Sequence, residues 1–153
     1  MSDKNEHGPL YLDIDRPKLE GYYPRWLDNL ADDAVLEGSM LDGAVQGAAA
    51  VRSVVTTIRS LYDRQAHKFA GPCGELGFIE EYVAEVRGEP IGCVVLVKYN
   101  EARQAQRVVA SYRPRTAVVH FAQLLAEAFA NTEIGAHFAD GQSLAATAPG
   151  GRQ

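Results

Sequence analysis

Apolar residues along this chain follow two spacings, and the change from one to the other marks its elements. Val51, Val54, Val55, Ile58, Leu61 and Tyr62 stand at i, i+3, i+4, i+7, i+10 and i+11, the stripe of an amphipathic helix. Val118, Phe121, Ala122, Leu125 and Phe129 make a second stripe, in a helix opened by Pro114, a residue suited to the first helical position. Between the two helices, residues 78–87, 90–99 and 104–112 read as strands, with a shorter one at 65–70. Gly88-Glu89 and residues 100–103 connect them as hairpins, so an antiparallel meander is expected.

Ahead of the first helix the pattern is weaker. Residues 1–17 are polar, contain Gly8, Pro9 and Pro17, and read as an irregular arm. Pro24 can start a short helix that places Trp26, Leu27 and Leu30 on one face. Residues 34–38 form a short strand after an Asp32-Asp33 turn, and 44–46 return beside it between Gly43 and Gly47. From Asp140 onward small and polar residues dominate, so one domain over 18–135 is expected, with a disordered tail over 136–153. Helices first and a meander later, with a helix packing a curved sheet, define an α+β class. In Ile91 to Val97 apolar residues occupy both parities, which predicts a central strand covered on both sides. The second cover is either another copy of the chain, in an isologous homodimer, or the chain's own N-terminal arm.

Composition narrows the function classes. The chain has 153 residues, enough for one sizeable core. Its formal net charge of −5 disfavours a phosphate backbone as partner, so no nucleic acid is expected. No apolar run reaches the ~20 residues of a membrane span, and no apolar stretch follows the charged start, which predicts a cytoplasmic protein. Cys73 and Cys93 lack Cys-x-x-Cys spacing, and no two histidines fall at metal-ligand spacing, so neither a thiolate site nor any metal or cofactor is expected. The glycines of 71–77 do not follow a strand and open a helix, as a phosphate loop requires, and read as a hairpin loop.

The order of these elements, with Leu30-Ala-Asp-Asp-Ala-Val-Leu-Glu-Gly38 and Gly47-Ala-Ala-Ala-Val-Arg52, resembles the nuclear transport factor 2-like (SnoaL-like) superfamily over about residues 24–131. The resemblance implies a cone-shaped, curved antiparallel sheet packed against helices, also described as a cystatin-like roll. It carries little about function, because this fold hosts isomerases, cyclases, hydrolases, dehydratases and binders without catalysis. Ketosteroid isomerase uses a carboxylate base at the end of the first strand, a phenol from the first helix and a protonated acid on a middle strand. Matched onto this chain, the base falls at Gly38 and the acid near Val95, so both carboxylates are missing. The phenol-bearing long helix is missing too, and Tyr22 or Tyr23 could replace its donor only by coincidence. Nor does the Asp-Arg-Asp set of limonene epoxide hydrolase have a counterpart.

What the resemblance does supply is parity. With Val95 facing the cone, Ile91, Cys93, Val97 and Tyr99 face it as well, as do Glu80, Tyr82 and Ala84 on one neighbour and Val108, Ala110 and Tyr112 on the other. The cavity is then apolar with a few polar tips. Glu80 is either a proton-transfer residue, its pKa raised by apolar surroundings, or a carboxylate turned to solvent or to a nearby hydroxyl or imidazole. Tyr82 and Tyr112 either donate to a ligand carbonyl or are core tyrosines with satisfied hydroxyls. His67 meets Glu80 only if the register across the 71–77 loop allows it. The leading expectation is a homodimeric domain binding a small hydrophobic molecule, without an established catalytic set. Glu37, Glu80, Tyr82 and Tyr112 are its polar contacts, Trp26 and Tyr62 its aromatic walls, and Cys93, Val95 and Val108 its lining. The alternatives are an isomerase, dehydratase or cyclase with Glu80 and Tyr112 as catalytic candidates, and a ligand-free dimeric interaction module.

Overall fold

A computed structural model describes Ile14 and residues 21–138. The arm over 1–17, apart from Ile14, and the tail beyond 138 lie outside the described residues. A 3-10 turn over Arg25–Asp28 leads into strand β1 (Leu30–Gly38), β2 (Val45–Gln46), helix α1 (Ala48–Ser60), strands β3 (Arg64–Pro72), β4 (Gly77–Val86), β5 (Glu89–Tyr99) and β6 (Ala105–Arg113), and helix α2 (Arg115–Ala128). A last 3-10 turn over Ile134–His137 follows. The six strands form one sheet in the order β2-β1-β6-β5-β4-β3.

The meander pairs as the alternation requires. β4 and β5 set Glu80 opposite Val95 and Tyr82 opposite Cys93, while β5 and β6 set Val95 opposite Ala110 and Cys93 opposite Tyr112. Directly paired residues share a face, so each row presents three side chains to the same side. That side is the core: Ile91, Cys93, Val95 and Val97 are all buried there, under Val51, Val54 and Ile58 of α1 and Phe121 and Leu125 of α2. Each such aliphatic or aromatic side chain removed from water contributes about 1.5–3 kcal/mol.

Four features depart from the sequence reading. β1 runs parallel to β6, so the sheet is mixed rather than wholly antiparallel. β1 also begins at Leu30, which is a strand residue and no part of the preceding turn. Asp32 and Asp33 are an outward bulge inside it: Leu30 pairs with Ala105 and Val35 already with Arg107, so β1 spends the extra residues looping to solvent. Gln106 holds the bulge by donating to the Asp33 carboxylate at 3.1 and 3.2 Å. A parallel partner so far along the chain leaves no hairpin signature for sequence to show. Finally, α2 is turned slightly from its expected stripe, with Ala117 and Leu124 buried and Val118 and Ala122 only half-buried.

On the outer face of the sheet Gly92 and Val83 are buried, while Val94 and Leu96 are half-buried. Leu96 lies between Ile79 and Val109 in one row, and both of these are half-buried too.

Candidate functional site

The cone opens between α1 and the concave face of the sheet. Leu36, Val54, Ile58, Val95 and Val108 make its apolar wall, and Glu80, Tyr82 and Tyr112 stand on its inner surface. The space measures about 570 Å³ to the mouth with open solvent included, and about 40 Å³ of it is reachable by the centre of a water molecule. At about 40 Å³ the enclosed space is well below the ~150 Å³ engineered cavity that holds benzene. The hollow is therefore narrow and falls short of the ~300 Å³ at which ordinary ligand pockets begin.

Glu80 is 2% exposed. Its Oε1 accepts a 2.6 Å hydrogen bond from the Tyr22 hydroxyl. Burial raises its pKa above the ordinary glutamate value, against the opposing pull of that hydrogen bond, of the nearby Trp26 N–H and of Arg59. The Trp26 indole nitrogen approaches Glu80 without completing a hydrogen bond and has no other partner among the described residues. Tyr22 thus supplies a phenol to a cone carboxylate from the segment before the 3-10 turn, where no long helix is needed. Burial, then the Glu80 contact, holds its own proton on well above the usual range.

A second cluster lies one row along the strands. Tyr82 and Tyr112 flank Cys93 on neighbouring strands, and Tyr62 reaches them from just beyond the end of α1. Its hydroxyl lies 2.6 Å from that of Tyr82 and 3.3 Å from that of Tyr112, and the last two are 3.2 Å apart. Each hydroxyl has one proton to give, so around this triangle every donor can be spent on a neighbour. A ligand carbonyl would have to break one of these bonds to be served. Burial raises the pKa of all three phenols and pushes the Cys93 thiol up to about 12, so all four groups are neutral at ordinary pH.

His67 shares the inner face of the sheet with its pair partner Tyr82 and sits beside it, not beside Glu80. A bulge after His67 makes Ala70 the partner of Glu80, with Phe69 opposite Glu81. The imidazole packs between Tyr22, at 4.5 Å between ring centres, and Tyr82, at 5.2 Å. Tyr22 therefore stands between the two groups, its ring on His67 and its hydroxyl on Glu80. His67 is 6% exposed, with Nε2 unpartnered among the described residues. Burial, helped by Arg59, lowers its pKa to about 4.

Of the other sequence candidates, Trp26, Val95 and Val108 line the hollow. Tyr62 and Cys93 do not: Tyr62 packs its ring on Phe121 at 5.8 Å, and Cys93 is fully covered behind the two tyrosines. Glu37 reaches only the rim, because its neighbour across the parallel pair is the outward Val109. Its carboxylate is held by Arg107 at 3.1 and 3.3 Å, which keeps its pKa low. Sequence reasoning missed Arg59 and Gln65 as lining residues. For Arg59 a signal existed, since it lies four residues after Val55 on the flank of the helical stripe.

The geometry also explains Gly38. A β-carbon there would run into the carbonyl oxygen of Ala110 on β6, so the strand-end position that carries a base in ketosteroid isomerase has no room for a side chain. Among the described residues no group of three or more His, Cys, Asp or Glu side chains could hold a metal, and no helix is long and apolar enough to cross a membrane.

No protein-family model matches the chain, and no curated protein matches it in sequence. Solved structures do match. A steroid delta-isomerase from Pseudomonas aeruginosa superposes with a TM-score of 0.63 at 15% identity, over 68% of this chain and 77% of that one. An uncharacterised bacterial protein with a cystatin-like fold from Silicibacter pomeroyi DSS-3 gives 0.64 at 16% identity, over 69% and 74%. A de novo designed protein with a curved β-sheet gives 0.52 at 17%, over 63% and 78%. The chain has the nuclear transport factor 2-like, or cystatin-like, fold.

The buried acid and imidazole leave opposite marks on stability. Glu80 binds its proton more tightly folded than unfolded, so its contribution is fully present below pH 4.5 and is lost as pH rises through its folded value. His67 binds its proton less tightly folded, so its penalty is full below about pH 4 and gone above about 6.5. Glu80→Gln, which keeps the neutral shape, should gain melting temperature relative to the parent as pH rises above 4.5, with little difference at pH 4. Thermal melts across this range check it, and a gap of constant size would place Glu80 in solvent.

Proposed function

We propose that this domain binds a small, mainly apolar molecule, no larger than about one six-membered ring, in its cone, whose open mouth adds room beyond the enclosed hollow. The observation that supports this most is an apolar hollow with a buried acid on its wall that has spare hydrogen-bonding capacity. A carboxyl offers two oxygens, and only one of them is occupied by a described partner, Tyr22. A ligand hydroxyl or carbonyl set against the second would exchange an unmet polar group for a hydrogen bond. Tyr82 and Tyr112 shape this end of the hollow and keep their own protons shared with Tyr62. The solved steroid delta-isomerase shares this fold and assigns no ligand to this chain.

A second reading is favoured by the same acid. With a raised pKa and a phenol at 2.6 Å, Glu80 suits proton transfer at a carbon or oxygen held in the cone, as an isomerase, dehydratase or cyclase would require. In that reading Glu80→Gln abolishes turnover while the fold persists. We also propose that the outer row of Ile79, Leu96 and Val109 receives a second copy of the chain, since half-buried aliphatic side chains in one row suit an isologous contact. Sedimentation should give a dimer for the parent and a monomer for Leu96→Glu; a monomer for both removes the contact.

Cyclohexanol, benzyl alcohol and benzamide at millimolar concentration should each raise the melting temperature of the parent by a few degrees. Ala110→Phe, which fills the hollow from β6, should abolish these shifts while preserving the far-ultraviolet circular dichroism. Shifts that survive the filled cone would put the ligand elsewhere, and no shift with any of the three would leave the cone without a ligand of this kind.

A further inference from the structure

Arg59 lines the cone and is half-buried. Its guanidinium lies 5.3 Å from the centre of the Tyr23 ring, and among the described residues no carboxylate pairs with it. It acts electrostatically on Glu80, which lines the hollow, and on Tyr22, Tyr62 and His67, which touch its wall at Glu80 and Tyr82. A guanidinium partly withdrawn from water ordinarily has a carboxylate across from it. The remaining basic groups near the cone have theirs: Arg107 holds Glu37 at 3.1 Å and Arg52 meets Asp28 at 3.5 Å. Gln65, which lines the same cone, has a half-buried side chain whose amide joins no hydrogen bond among the described residues.

We infer that the ligand of this cone is a small monocarboxylate, with its ring or hydrocarbon body against Val54, Ile58, Val95 and Val108 and its carboxylate bound by Arg59 and Gln65. This rests on the reading of the cone as a ligand site and adds its charge. The arginine fork matches a carboxylate with two parallel hydrogen bonds, and the amide N–H₂ of Gln65 can add a third. A cationic ligand would face the same guanidinium with nothing to offset it except Glu80. A neutral one would leave Arg59 as it is, stacked on Tyr23 alone. Glu37 does not repel the anion strongly, because Arg107 already neutralises it.

The test uses benzoate, benzamide and benzylamine, which share one ring and differ in charge, with titration calorimetry on the full chain. The parent should bind benzoate about tenfold or more tightly than benzamide, the range expected of a charge-assisted pair, and benzylamine more weakly than either. Arg59→Gln should abolish the preference for benzoate over benzamide, while Arg59→Lys should keep part of it. Benzamide bound as tightly as benzoate, or a preference that survives Arg59→Gln, overturns the carboxylate assignment and leaves the cone as a neutral site. Binding of none of the three overturns both.

Discussion

The cone exists because β4, β5 and β6 are in one register. Placing Tyr82 opposite Cys93 and Cys93 opposite Tyr112 fixes, two residues away, the row Glu80, Val95 and Ala110. A slip of a single residue would send Glu81, Val94 and Ser111 inward instead, and these include a carboxylate ion-paired to Arg113 at 2.9 Å and an exposed serine. The cost of burying that pair, against the gain from burying Val95, Val97 and Ile91, keeps the register in place. The helices respond to this choice: α1 and α2 lay Val54, Ile58, Phe121 and Leu125 over whatever surface the register presents.

That register also separates two kinds of polar group in one apolar hollow. The tyrosine triangle is closed, each hydroxyl within hydrogen-bond reach of the other two, and it behaves as core with shared protons. Glu80 has one described side-chain partner at hydrogen-bond distance and a neighbouring indole that does not complete a second bond. In the proposed reading, this unmet capacity, together with an Arg59 that pairs with no carboxylate among the described residues, marks the side of the cone that takes the ligand. His67 belongs to neither set. Its imidazole is neutral over most of the pH range and serves as a flat surface between Tyr22 and Tyr82.

Much of this was legible from the residues. Periodicity marks α1 at Val51, Val54 and Ile58, and alternation marks the inward set of the meander, because both repeat locally and over many residues. Less accessible were contacts joined across long stretches of chain. The parallel pairing of β1 with β6 leaves no turn signal, and the Asp32-Asp33 bulge looks like a turn because both put carboxylates in solvent. His67 turned on a bulge at Lys68 that nothing in the local sequence announces, and Tyr22 reaches Glu80 across 58 positions. Gly38 was readable as an absent base, but its reason, the close approach of the Ala110 carbonyl, is a fact of packing.

Carbon-detected NMR of the side-chain carboxyls, followed against pH, addresses the buried acid most directly. If the inward register holds, the Glu80 signal, assigned through its loss in Glu80→Gln, titrates above the ordinary glutamate value of 4.5. A Glu80 signal that titrates at or below that value would contradict the cone described for this chain.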